Sequence, residues 1–305
     1  MRNLFITGAS GFIGRKLVQR LDPREYGRIV CVSRTEPRQS SPQRAAQPAV
    51  QAVTADLRDP SSYARHLAGC DTVLHLAAAT GAASRDESFA VNAEATRTLI
   101  EQAERLGVRD FLLVSTIAVN YPNAPRYPYA ASKRLAETAL RASRLRYAIV
   151  RPTIVIGHDA PIWNTLSGLA RRRLIVMPGT GQVRVQPIHV DELVGCVVAL
   201  LRKDLFGAQL FEVGGADIAS FEEFLRKIHR FASGREPSVI HLPLGPIMAS
   251  LSLLERVVPR GLPVTAGQLS AFRYDSAIDP TLAFPDPAAL RVPLDDMIRK
   301  CLADA

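Results

Sequence analysis

Short apolar runs rich in β-branched residues alternate with stretches of helical periodicity through the first half of the chain. Strands buried on both faces read as continuous apolar runs, so this alternation points to a parallel sheet covered by helices. It predicts strands at Asn3–Thr7, Arg28–Ser33, Val50–Ala55, Thr72–Leu76, Asp110–Ser115 and Tyr147–Val150. The helices between them are expected over Gly11–Leu21, Ser61–Leu67, Asp86–Leu106 and Tyr129–Leu145. Residues 34–48 are polar and hold three prolines, which predicts a surface loop. Past Arg151 the pattern loosens. Asp191–Arg202 and Ser220–Phe231 read as helices, the second opened by the capping pair Ser220 and Glu223, and Gln209–Val213 reads as a strand. Pro243–Val258 is expected to form a helix broken near Pro246. The fold class is therefore α/β with a doubly wound parallel sheet. Residues 1–156 would form its core, and residues 157–305 would complete that core and add a small C-terminal substrate-binding lobe.

Composition narrows the function. The apolar stretch Leu242–Leu254 holds two prolines and is too short to span a bilayer, so it reads as buried core or as a surface-lying helix. No transmembrane segment is expected. The chain runs from Met-Arg-Asn straight into an apolar strand without a leader pattern, which predicts a cytoplasmic protein. Cys31, Cys70, Cys196 and Cys301 show no C-x-x-C spacing and read as small buried hydrophobes in a reducing compartment, with no metal site expected. A net charge of +9 favours anionic ligands. The basic residues are dispersed apart from Arg171-Arg172-Arg173, a run that suits a solvated helix end as well as a phosphate site. Specific nucleic-acid binding is not expected.

The most informative segment is Thr7-Gly8-Ala9-Ser10-Gly11-Phe12-Ile13-Gly14, which links the first strand to an amphipathic helix. One glycine permits the sharp turn, a second lets pyrophosphate approach the amides, and a third lets helix pack closely on sheet. The helix N-terminus then faces the phosphates. This is the pattern of a Rossmann-type dinucleotide site. Twenty residues past Gly14, where a ribose-binding carboxylate is expected, stands Arg34, preceded by Ser33. A guanidinium there suits a 2′-phosphate and predicts NADP, with NAD as the alternative if Glu36 turns inward. Asp56 follows the third strand, placed to accept from the adenine amino group. Leu76-Ala77-Ala78 stand at the end of the fourth, where small residues would let the backbone pass beneath the cofactor. His75 reads as a hydrogen-bonded core residue.

Tyr129 and Lys133 stand four residues apart on one helix face. A phenol has an ordinary pKa near ~10, and a neighbouring ammonium is expected to lower it so that it can exchange a proton with a substrate oxygen. Thr116, at the end of the fifth strand, would add a hydroxyl to this centre.

The motifs TGASGFIG (7–14), Asp56-Leu57, HLAA (75–78), Asn92, ST (115–116), YAASK (129–133), RPTIVIG (151–157) and PIHVDEL (187–193) occur in an order that resembles the short-chain dehydrogenase/reductase superfamily. The resemblance is to its extended or atypical branch, the NAD-dependent epimerase/dehydratase family. It implies a pyrophosphate loop made by Gly8, Ser10, Gly11, Phe12, Ile13 and Gly14, and an adenine site at Asp56 and Leu57. It further implies that Thr116 bonds the reacting oxygen, Tyr129 is the acid/base, Lys133 also holds the nicotinamide ribose, and Pro152 runs beside the nicotinamide. Asn120-Tyr121 stands where extended members carry tyrosine-glycine, and the short spacing from Thr116 to Tyr129 removes a substrate-binding insertion. The carboxyl region, FEVGG (211–215) and 242–259, is similar to complex I accessory-subunit relatives. The expected function is an NAD(P)-dependent oxidoreductase acting at a carbonyl or hydroxyl carbon of a small molecule. A nucleotide-sugar epimerase/dehydratase with tightly held nucleotide, or a non-catalytic NADP(H)-binding module, are the alternatives. The resemblance also implies a homodimer through the helices near 86–106 and 129–145, although Arg97, Arg105, Arg141 and Arg144 oppose such pairing.

Overall fold

The computed structural model describes residues 1–35, 50–81, 83–257, 273–285 and 292–303. The chain begins with β1 (Arg2–Thr7), α1 (Phe12–Arg20), β2 (Tyr26–Ser33), β3 (Val50–Thr54), α2 (Pro60–Leu67) and β4 (Thr72–His75). It continues through α3 (Arg85–Phe89), α4 (Ala95–Arg105), β5 (Asp110–Val114), α5 (Pro128–Arg141) and β6 (Arg146–Pro152). Then come β7 (Val155–Ile156), α6 (Pro161–Ala170), β8 (Leu174–Pro178), β9 (Arg184–Val185) and β10 (Ile188–His189). The remainder holds α7 (Val190–Arg202), β11 (Gln209–Val213), β12 (Ala219–Ser220), α8 (Phe221–Ser233), β13 (Ser238–Leu242), α9 (Leu244–Val257) and α10 (Leu294–Ala303).

Seven strands form the main sheet in the order β11-β6-β5-β4-β1-β2-β3. β1 pairs in parallel with both β2 and β4, so the strand order reverses at β1, and Thr7 and His75 end side by side. Ligands of open α/β sheets bind at such a reversal, beyond the carboxyl ends of the strands. Phe5, Val73, Phe111 and Ile149 are fully buried under the helices, as expected of strands covered on both faces. The expected doubly wound α/β sheet is present.

The chain divides into two compact units. The first comprises Met1–Thr116, Pro128–Arg151 and Val194–Phe211; the second comprises Ile117–Tyr127, Pro152–Leu193 and Glu212–Ala305. In the second, β8 pairs in parallel with β13. Ser220 caps α8 by accepting from the Glu223 amide at 3.1 Å, as its sequence pattern predicts.

Two expectations need correction. The helix read as continuous over Asp86–Leu106 is interrupted by a π-helical turn, Ala90–Glu94, between α3 and α4. α9 runs unbroken through Pro246. That proline lies in the helix's first turn, where an amide has no intrahelical acceptor, so its missing N–H costs nothing. Most of the 34–48 loop, including Glu36, lies outside the described residues. No helix among the described residues is long and apolar enough to cross a membrane.

Candidate active site

Gly8 carries the turn after β1. Its φ of +69° is a left-handed conformation, and an added Cβ would lie 2.6 Å from the Ala77 amide nitrogen. Any side chain would thus be both strained and driven into the backbone after β4. This close approach brings the glycine turn and Leu76-Ala77 together at the reversal of strand order. A Cβ at Gly14 would clash with the Gly8 carbonyl, so α1 packs tightly under the loop. Gly11 caps α1 without a side-chain hydrogen bond, and the first turn holds no acidic residue. That terminus fits the pyrophosphate of a dinucleotide, because its donors and positive dipole end are not offset by a local carboxylate. Gly8→Ala should cost about 1–3 kcal/mol of stability and weaken nucleotide binding; a denaturation midpoint and NAD affinity equal to wild type would refute the packing role.

His75 is fully buried. Its Nδ1 lies 2.7 Å from Thr7 Oγ1 and its Nε2 2.8 Å from Thr96 Oγ1, joining β1, β4 and α4. Burial pushes its pKa down to about 3, with the Lys133 charge adding to the effect, so it stays neutral. It is the structural histidine that the sequence suggests.

Asn92, in the π-helical turn, is also fully buried. Its Oδ1 accepts from the Ala79 amide at 2.7 Å, and its Nδ2 donates to the Ala79 carbonyl at 3.0 Å and to Ser132 Oγ at 3.1 Å. One side chain therefore ties the segment after β4 to α5. The π-helical turn turns Asn92 inward, a common use of such insertions near functional sites.

Thr116 lies two residues past the end of β5, while Tyr129 sits in the first turn of α5 and Lys133 one turn on. Lys133 is only 1% exposed. Burial lowers its pKa to about 8, against which the Glu137 carboxylate pulls it upward. Burial raises the Tyr129 phenol to about 12. The expected lowering of the phenol by lysine is thus outweighed here by loss of solvent, and the phenol stays protonated at neutral pH.

Glu137 was not singled out from sequence, yet it anchors this helix. It completes a series at four-residue intervals, Tyr129-Lys133-Glu137, and is 3% exposed. Ser115 Oγ donates to its Oε1 at 2.6 Å, while Arg151 Nε and Nη2 donate to Oε1 and Oε2 at 2.9 and 2.6 Å. Burial alone would raise its pKa, but the Arg151 and Ser115 hydrogen bonds hold it below its ordinary value. The signal that could have revealed it was an acid on the same helical face as Tyr129 and Lys133.

Just past β3, Asp56 is gripped by its neighbour Arg58, whose Nε lies 3.0 Å from each carboxylate oxygen and whose amide donates at 2.9 Å. These bonds lower its pKa to about 2, with Arg34 a smaller contributor. Arg34 is mostly exposed and lies 3.9 Å from the Glu87 carboxylate. Pro152 ends β6 and belongs to the second unit. There, His189 Nδ1 accepts from the Asp191 amide at 3.2 Å, and Asp191 pairs with Lys300 at 2.6 Å, so this segment serves structure. The four cysteines are buried thiols. No metal-ligating cluster occurs among the described residues.

A parallel sheet with a glycine turn at the reversal of its strand order is an arrangement that binds dinucleotides. The chain is a member of the NAD dependent epimerase/dehydratase family, which it matches over residues 4–214. It is 31% identical over 255 residues to the ceramide reductase of Caulobacter vibrioides, covering 82% of this chain and 76% of that protein. It is 24% identical to the N-acetyl-alpha-D-glucosaminyl-diphospho-ditrans,octacis-undecaprenol 4-epimerase of Escherichia coli O157:H7, covering 79% and 75% respectively. UDP-glucuronic acid 4-epimerase from Bacillus cereus, solved with NAD, shares the fold with a TM-score of 0.67, 19% identity, and coverage of 89% of this chain and 98% of that one.

These comparisons overturn the expectation of NADP. The solved neighbours whose bound nicotinamide nucleotide is named carry NAD. The physical reason lies at Arg34: its guanidinium faces the Glu87 carboxylate, whose negative charge would repel a 2′-phosphate brought to the same arginine.

Proposed function

We propose that this chain is an NAD-dependent enzyme that moves a hydride at a carbinol or carbonyl carbon of a lipid or lipid-linked molecule. The carrying observation is the Tyr129-Lys133-Glu137 series on α5, pinned by Glu137 to Ser115 one residue before Thr116. NAD supplies the hydride acceptor or, when reduced, the donor. Tyr129 would exchange the proton with the substrate oxygen, Thr116 would hydrogen-bond that oxygen, and Lys133 would hold the nicotinamide ribose and, while charged, favour phenolate as the proton leaves. In the epimerase form, Tyr129 would take up and later return the proton of the same substrate oxygen, so that no reduced nucleotide would accumulate. Two relatives support the substrate class, since their names specify a ceramide and an undecaprenol-linked sugar.

Net reduction is the second reading. A phenol pushed up to about 12 is an acid at neutral pH, suited to protonating a forming alkoxide, and the ceramide reductase relative agrees with that direction. Purified protein loaded with NAD or NADH, given polyprenyl-diphosphate sugars and long-chain ketones, separates the two. Inverted sugar without accumulation of reduced nucleotide supports the epimerase, and oxidation of NADH in step with ketone loss supports the reductase. Absence of either across both panels would sink the assignment. Calorimetric titration should show NAD binding more tightly than NADP, with Glu87→Gln narrowing the difference; an unchanged gap would remove Glu87 from the selection.

A further inference from the structure

We propose that the second unit docks onto anionic lipid bilayers through the outer face of the β8–β13 ribbon and the basic run that precedes it. On β8, Ile175 and Met177 are fully buried while Leu174 and Val176 are 43% and 44% exposed. The parallel register sets Val176 beside Ile240 and Pro178 beside Leu242, so these partners share a face. Ile240 and Leu242 are 49% and 40% exposed. The solvent side of a sheet normally carries polar residues; this one presents Leu174, Val176, Ile240 and Leu242, with Ser238 beside Leu174 as the polar exception. The helix after β13 also carries two exposed leucines, Leu253 and Leu254.

The charge beside this face selects the occupant. Arg171, Arg172 and Arg173 are all exposed and lead directly into β8. The Arg173 carbonyl accepts from the Ser238 amide at 3.2 Å, so the basic run abuts the first residue of the ribbon's second strand. The nearby carboxylates are already paired: Glu222 with Arg226 and His241, both at 2.8 Å, and Glu236 with Arg230 at 2.6 Å. An apolar face rimmed by unbalanced arginines matches the acyl boundary and phosphate layer of an anionic bilayer. A second copy fits less well, because the same face carries the same arginine run and so offers it no complementary charge.

Sedimentation of the full chain with vesicles tests this, using equal parts phosphatidylcholine and phosphatidylglycerol against phosphatidylcholine alone. The mixed vesicles should bind the protein far better, and added salt should weaken the binding. Replacing Arg171, Arg172 and Arg173 together by Gln should weaken it about 100-fold. Val176→Ser with Ile240→Ser should weaken it at unchanged charge, with circular dichroism and NAD affinity confirming that both variants fold. Wild type that ignores the mixed vesicles, or an arginine variant that binds them equally well, would overturn the proposal. So would self-association at this face, seen as a concentration-dependent dimer lost in Val176→Ser. Binding is read without substrate, and Tyr129→Phe should bind vesicles like wild type, so failure here leaves the catalytic assignment standing.

Discussion

Tyr129→Phe should lower kcat by about 10²–10⁴-fold, the scale of losing a general acid/base, while leaving NAD affinity within about twofold. The substitution keeps the ring packed in α5 and deletes only the oxygen that would exchange a proton. The glycine turn and the Gly8–Ala77 approach lie on other elements and should be undisturbed. Steady-state turnover with calorimetric NAD binding measures both halves; unchanged kcat would remove Tyr129 from the chemistry. The pH profile carries a second signature. Lys133, with a pKa lowered to about 8, loses its charge above that pH, so activity should fall on the alkaline side from there. Glu137 holds that pKa up, and Glu137→Gln should therefore move the alkaline limb to lower pH.

Glu137→Ala is expected to destabilise the fold by about 3–5 kcal/mol, the cost of breaking a buried ion pair by removing one partner. The Arg151 side chain is only 13% exposed and its bidentate partner would be gone, as would the bond from Ser115. Glu137 sits below its ordinary pKa in the folded protein, so its stabilisation is fully present above the unfolded carboxylate range. It is lost as pH falls below that range, through the lower folded value. Wild type should accordingly lose more stability than Glu137→Ala on acidification. Equal denaturation midpoints for the two proteins at neutral pH would show that the clamp contributes nothing.

The strands of the main sheet were legible to within two residues at most ends, because each is an apolar run flanked by breakers. The glycine turn was equally plain, since its three glycines fall between a strand and a helix. The β8–β13 ribbon escaped notice for a physical reason: its outer face is apolar too, so the two-residue alternation that marks a half-exposed strand is missing. Pairing across more than sixty residues leaves no local trace either. The π-helical turn hid within Ala-Val-Asn-Ala-Glu, whose composition suits an ordinary helix, and only a buried asparagine marks the departure. Glu137 looked like one more solvated acid, because its arginine partner lies 14 positions away on another element. Arg34 misled on NADP because Glu87, which confronts it, lies still farther away in sequence.

The first unit draws on three separate stretches of chain, the last being Val194–Phe211. During synthesis the nucleotide-binding half therefore cannot finish until more than two hundred residues have left the ribosome. Until β11 arrives, β6 is the sheet's unpaired edge on that side, an open template for misplaced strands. Truncations that stop after Pro152 should expose that edge permanently and yield aggregates rather than a minimal nucleotide-binding domain.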